Sequence, residues 1–182
     1  MSDIADNLQA VRARIAAATE AAGRRPGAVQ LLAVSKTWPL ECILAAAAAG
    51  QLAFGENYVQ ELVEKQIQLP QNVRWHFIGH LQSNKVKYVA EFVDTIESVD
   101  SEKLLEEINK QAAKHNRKIK VLLQVKIAEE DSKTGLEVNE TKELFLKYLQ
   151  GNFPNVEITG LMGMATFTED EAQIRREFTF LK

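Results

Sequence analysis

Apolar positions recur along this chain with two alternating periods. Ile4, Leu8, Val11 and Ile15 share one helical stripe, which closes near Gly23 with Pro26 beyond. Residues 31–35 then read as a buried strand. Pro39 opens a helix through Leu40, Ile43 and Leu44, and Gly50 stops it. The five alanines from 45 to 49 suit close helix packing. Residues 52–54 predict a short strand, followed by a helix on Val59, Leu62, Val63 and Ile67. Val73, Trp75 and Phe77 alternate as in a strand, and Val86 and Val89 mark the next helix.

The same alternation continues. Residues 93–98 read as a strand, and Leu104, Leu105 and Ile108 as a helix capped by Asp100 or Ser101. Residues 119–127 are expected to hold the longest strand, and Leu144, Phe145, Tyr148 and Leu149 a helix closed by Gly151. Residues 156–160 form the last strand. Thr168 and Glu171 predict a capping box before a helix carrying Ile174, Phe178 and Leu181. Six strand-helix units thus follow a leading helix. Helices between strands imply a parallel sheet, either a barrel or a doubly wound layer.

Composition narrows the class. The 182 residues, 46% hydrophobic and 26% charged, suit one soluble globular domain over 1–182. A net charge of -3 gives no general attraction for nucleic acid. The densest basic region, Lys85, Lys87, Lys114, Arg117, Lys118 and Lys120, spreads over helix, loop and strand start and reads as solvated surface. Cys42 is the single cysteine, which excludes an intrachain disulfide and fits a reducing compartment, with a small buried thiol expected in its helix. No apolar run approaches the roughly 20 residues that span a bilayer. The acidic first six residues lack the parts of a secretion signal, so a cytoplasmic protein is expected.

Lys36 is the prominent chemical group. It closes the run Leu31-Leu32-Ala33-Val34-Ser35-Lys36, and Thr37-Trp38-Pro39 break that run. An ammonium is expensive to desolvate, so a sheltered strand-end lysine becomes a neutral nucleophile that condenses with aldehydes, as in pyridoxal phosphate proteins. The alternative is a lysine that simply reaches solvent. His76 and His80 lie on a strand interrupted by Gly79. At roughly 3.3 Å per residue they stand too far apart to share one ion, so no zinc site is expected.

Longer blocks occur in order: Ala33-Val34-Ser35-Lys36-Thr37, Phe54-Gly55-Glu56-Asn57-Tyr58-Val59-Gln60-Glu61, Trp75-His76-Phe77-Ile78-Gly79-His80-Leu81-Gln82-Ser83-Asn84-Lys85, Ser132-Lys133-Thr134-Gly135 and Gly160-Leu161-Met162-Gly163-Met164-Ala165. Together they resemble the pyridoxal phosphate homeostasis proteins, the YggS-like family, over nearly the whole chain. The resemblance implies an α/β fold, a TIM-type barrel similar to the alanine racemase N-terminal domain. It implies pyridoxal 5'-phosphate held as a Schiff base on Lys36, for cofactor homeostasis without turnover. It also implies pocket roles for Asn57, His80 and Met164, and places Ser132 and Lys133 at the cofactor mouth. Asn57 also fits a helix cap, Lys133 an exposed loop charge, and Lys126 stands where the family shows asparagine.

A barrel of this type has eight units and about 250 residues. Six units are visible, and the family's late phosphate-binding segments have no counterpart, so the last units are expected to be missing. Two other readings stand beside the first: a racemase-like enzyme, and a truncated or engineered scaffold with impaired cofactor binding. Pyridoxal phosphate-dependent apoenzymes are the expected partners, and a monomer or weak homo-oligomer the expected state.

Overall fold

In the computed structural model, which describes residues 2–128 and 134–182, strands and helices alternate through two units, Met1–Trp75 and His76–Lys182. The first holds α1 (Ser2–Ala21), β1 (Ala33–Val34), α2 (Leu40–Ala48), β2 (Ala53–Glu56) and α3 (Val59–Gln66). It ends within β3 (Arg74–Phe77). β1 and β2 run parallel, with Ala33 beside Phe54 and Val34 beside Gly55. The apolar stripe of α1 is only half covered, and Val11 is exposed.

Polar side chains secure that helix. The Arg12 guanidinium donates to Ala49 O at 3.1 Å and Gln51 Oε1 at 3.2 Å. Gln51 Nε2 donates in turn to Leu31 O and Ala53 O. One arginine and one glutamine therefore join α1, the end of α2 and the starts of both strands. α2 stops because Gly50, at φ 80°, turns its N–H back to Ala47 O while Gln51 N reaches Ala46 O. Phe54 and Trp75 pack with ring centroids 6.0 Å apart over this unit's core.

The second unit continues β3 and adds β4 (Thr95–Val99), α4 (Glu102–Lys114), β5 (Ile119–Gln124), α5 (Val138–Leu149), β6 (Val156–Met162) and α6 (Glu171–Leu181). β3, β4, β5 and β6 lie side by side in that order, all parallel. Ile96, Val121, Leu123 and Val156 are fully buried, while the rest of β6 alternates between half-buried and exposed. α4 meets them with Leu104, Leu105, Ile108 and Ala112, one helical face, and Ser101 Oγ accepts from Leu104 N at its start. Arg117, expected in a solvated patch, instead donates to Ala90 O and Val93 O.

Several expectations are corrected. Ser83–Tyr88 is a 3-10 helix, since Ser, Asn and Val are weak α-helix formers and the buried pair Val86 and Val89 suits a three-residue turn. The longest described strand is β6, because β5 ends at Gln124, where Leu136 joins Val125 in a parallel bridge. α6 is capped by Asp170, whose Oδ1 accepts from Ala172 N and Gln173 N, while Thr168 Oγ1 accepts from Asp170 N. A capping-box contact occurs at α5 instead, where Glu137 N donates to Glu140 Oε2. Phe178 is exposed and Glu177 is buried on α6, because Glu177 turns inward to Thr166.

Leu105→Ala empties a fully buried site between α4 and the strands. It is expected to destabilise the protein by about 2–5 kcal/mol, read as a lower urea midpoint with an unchanged slope.

Candidate functional site

The pairing of β1 with β2 extends one residue beyond the strand, through Ser35 N to Gly55 O at 3.0 Å. Lys36 comes next and is exposed, in a turn closed by Trp38 N to Ser35 O. Thr37 adopts φ 65°, the left-handed region that a β-branched residue rarely enters.

Beneath this turn lies a polar cluster that sequence reasoning did not find. Glu56, the last residue of β2, is completely buried, and Lys65 of α3 nearly so. Lys65 Nζ reaches Glu56 Oε1 at 2.8 Å, Glu61 Oε1 at 2.6 Å and Ser35 O at 2.7 Å, one oxygen for each hydrogen of an ammonium. Ser35 Oγ donates to Glu56 Oε1 at 2.6 Å, and Thr37 N donates to Glu61 Oε1 at 2.6 Å. Burial pushes the Glu56 carboxyl above its ordinary value, and the bonds from Lys65 and Ser35 pull back without cancelling that push. Its Oε2 is buried with no hydrogen-bond partner among the described residues. The only trace of this cluster in the sequence is the i,i+4 pair Glu61 and Lys65.

Asn57 immediately follows β2 and is half-buried. Its capping role is overturned: Tyr58 occupies the capping position of α3, and no side chain caps that helix. Lys36 and Asn57 therefore leave the carboxyl ends of two adjacent parallel strands. Lys36 is not sheltered as the sequence led one to expect. The groove of about 900 Å³ beside Arg12, Arg24 and Arg74, and the apolar one of about 580 Å³ beside Leu8, Trp38, Cys42 and Phe54, are both lined without it. Cys42 is partly exposed rather than buried.

In the second unit, His80 follows β3, its side chain 69% exposed and Nδ1 3.2 Å from Asp100 Oδ2. His76 Nδ1 lies 2.7 Å from Glu97 Oε1 on β4, a local contact. Met164 follows β6 and is exposed. Lys126 follows β5 and donates its backbone N–H to Leu136 O. Ser132 and Lys133 lie outside the described residues. The residues after them are tied to β5, where Gln124 Nε2 donates to Thr134 O at 2.7 Å. A Cβ at Gly135 would stand 2.5 Å from Lys126 N, so only glycine permits this approach. His80, Met164 and the 134–136 segment thus share the carboxyl ends of their own strands, the end at which barrels gather functional groups.

Residues 7–182 match the family model of the alanine racemase N-terminal domain. The chain is 45% identical over 179 residues to a protein of Pasteurella multocida (strain Pm70) named pyridoxal phosphate homeostasis protein, covering 97% of this chain and 76% of the relative. A crystal structure of an unknown protein from Bifidobacterium adolescentis superposes with a TM-score of 0.90 at 38% identity, covering 99% and 76% of the two chains. PipY of Synechococcus elongatus PCC7942, solved with PLP bound, gives a TM-score of 0.81 at 34% identity, covering 98% and 78%. These likenesses establish the TIM-barrel-like α/β fold expected from the sequence.

A raised carboxyl means that the folded state holds its proton more tightly than the unfolded one. The contribution of Glu56 to stability is therefore fullest below its ordinary value of 4.5 and declines as pH rises through the higher folded-state value. In denaturant titrations from about pH 4 to about pH 8, Glu56→Gln is expected to remove that decline relative to the wild type.

Proposed function

The chain belongs to the pyridoxal phosphate homeostasis protein family, and on that premise we propose that it binds pyridoxal 5'-phosphate through Lys36 and serves cofactor homeostasis without turnover. One observation carries this reading. Of the two lysines bracketing the β1–β2 strand ends, Lys65 has its Nζ surrounded by three oxygens, whereas Lys36 presents an exposed amine on a fixed turn. When bound, the cofactor supplies an aldehyde carbon, which a primary amine captures as a Schiff base with loss of one water. The amine of Lys36 fits that chemistry, and the name of the Pasteurella relative and the PLP-bound PipY support it.

The remaining roles follow the strand ends. Asn57 and His80 offer hydrogen-bonding groups and Met164 an apolar contact, while Ser132 and Lys133, outside the described residues, are assigned to the cofactor mouth by the family resemblance. The recipients are pyridoxal phosphate-dependent apoenzymes, and the protein works as a monomer or weak homo-oligomer. No described helix is long and apolar enough to cross a membrane, and the lone Cys42 suits a reducing cytoplasm.

Addition of pyridoxal phosphate is expected to produce a visible absorbance band that borohydride fixes onto Lys36, located by peptide mass mapping. Lys36→Ala should abolish both. Label spread over many lysines, or undiminished in Lys36→Ala, would sink the assignment. Amino-acid racemisation or decarboxylation dependent on Lys36 would overturn the absence of turnover.

A further inference from the structure

The peptide units on either side of Lys36 are held by one pair of side chains. Lys65 Nζ donates to Ser35 O on one side, at 2.7 Å. On the other, Glu61 Oε1 accepts from Thr37 N at 2.6 Å. The two side chains are themselves joined at 2.6 Å, one turn apart on α3. Lys65 also reaches Glu56, which receives the Ser35 hydroxyl, so Ser35 is fixed through both its carbonyl and its side chain. Thr37 meanwhile sits at φ 65° without the freedom of glycine. Such a conformation persists only where the surroundings over-determine it.

Resting on the reading that Lys36 is the cofactor amine, we propose that Lys65 and Glu61 are positioning residues: they hold the turn 35–37 in its left-handed form and so fix the direction in which Lys36 leaves the backbone. Neither touches the cofactor. Lys65 has each of its donors directed at an oxygen of this brace, which removes it as a competing amine. The strain at Thr37 is retained because relaxation would strip the Thr37 N–H from Glu61 and swing the adjacent amine. An exposed lysine has four rotatable bonds of its own, so fixing its Cα–Cβ direction is the share of positioning that the backbone can supply.

The test separates the brace from the cofactor assignment. Glu61→Ala removes the acceptor while keeping a strong helix former in α3, whereas Glu61→Gln removes the charge but retains an acceptor oxygen. In cofactor-free protein, Glu61→Ala should lower hydrogen-exchange protection of the Thr37 amide by about tenfold or more, and Glu61→Gln should largely retain it. With pyridoxal phosphate added, the initial rate of borohydride-fixed attachment at Lys36 should follow the same order, Ala well below Gln and Gln near wild type. Lys65→Met should fall with Glu61→Ala. If that variant does not fold, a thermal midpoint shows it and the two Glu61 variants decide. Unchanged Thr37 exchange in Glu61→Ala, or Gln falling as far as Ala in both readouts, would overturn the brace. If the wild type attaches no cofactor at Lys36, the functional reading fails, and the exchange result still decides whether the brace holds the turn.

Discussion

A lysine and a glutamate buried together beneath the first strand ends are the constraint on which the candidate site depends. Desolvating both ions is unfavourable, and such a pair is tolerated only when good geometry and further hydrogen bonds absorb the remaining donors and acceptors. Lys65 meets that condition, with three oxygens around its Nζ. Glu56 does so on one oxygen, which takes Lys65 and Ser35, and leaves the other without a partner. A hydrophobic pair of similar volume would fill the space with less desolvation. It could not reach the Ser35 carbonyl or leave Glu61 tied to the Thr37 amide. The polar pair exchanges stability for a defined backbone at the residue before Lys36 and the residue after it.

The same device recurs in the second unit. Ser98, buried on β4, donates to Gly79 O just before His80. Gln124, buried at the end of β5, donates to Thr134 O on the segment that leads into α5. Glu177, buried on α6, accepts from the Thr166 amide and hydroxyl two residues after Met164. Ser98, Gln124 and Glu177 are therefore buried polar side chains that each bond to a post-strand segment near a candidate residue. Loops cannot satisfy their own backbone as strands do, so a buried side chain that supplies the missing partner also fixes the loop's path.

The strand-helix alternation was legible because short apolar strand stretches alternate with helical spacing, and α4 shows its buried face at regular helical intervals. Element ends were less legible, since they depend on local competition for hydrogen bonds. Thr168 and Glu171 carry the residue types of a capping box, yet Asp170 stands closer to the helix start and takes the amides. Lys36 and Asn57 were placed at strand ends from pattern and resemblance together, and the structure sets them there. The brace was not legible. Glu56 looks like a polar residue after a strand, and its partners Ser35 and Lys65 stand 21 and 9 residues away in sequence. No periodicity encodes such a contact; only the parallel pairing of β1 with β2 brings it about.

The exposure of Lys36 alters the account of its reactivity. Sequence reasoning relied on desolvation to make the amine nucleophilic, and the structure supplies burial to Lys65 instead. Lys65 Nζ is buried and directed at three oxygens of the brace, so its nitrogen cannot approach a carbonyl. An exposed lysine on a fixed turn has the opposite properties: its nitrogen is accessible, and its starting direction is set by neighbours that do not compete for the aldehyde. The buried lysine secures the structure and the exposed one remains available for chemistry. This division explains how two lysines beside one turn, Lys36 after β1 and Lys65 on α3, differ so completely in what they are able to do.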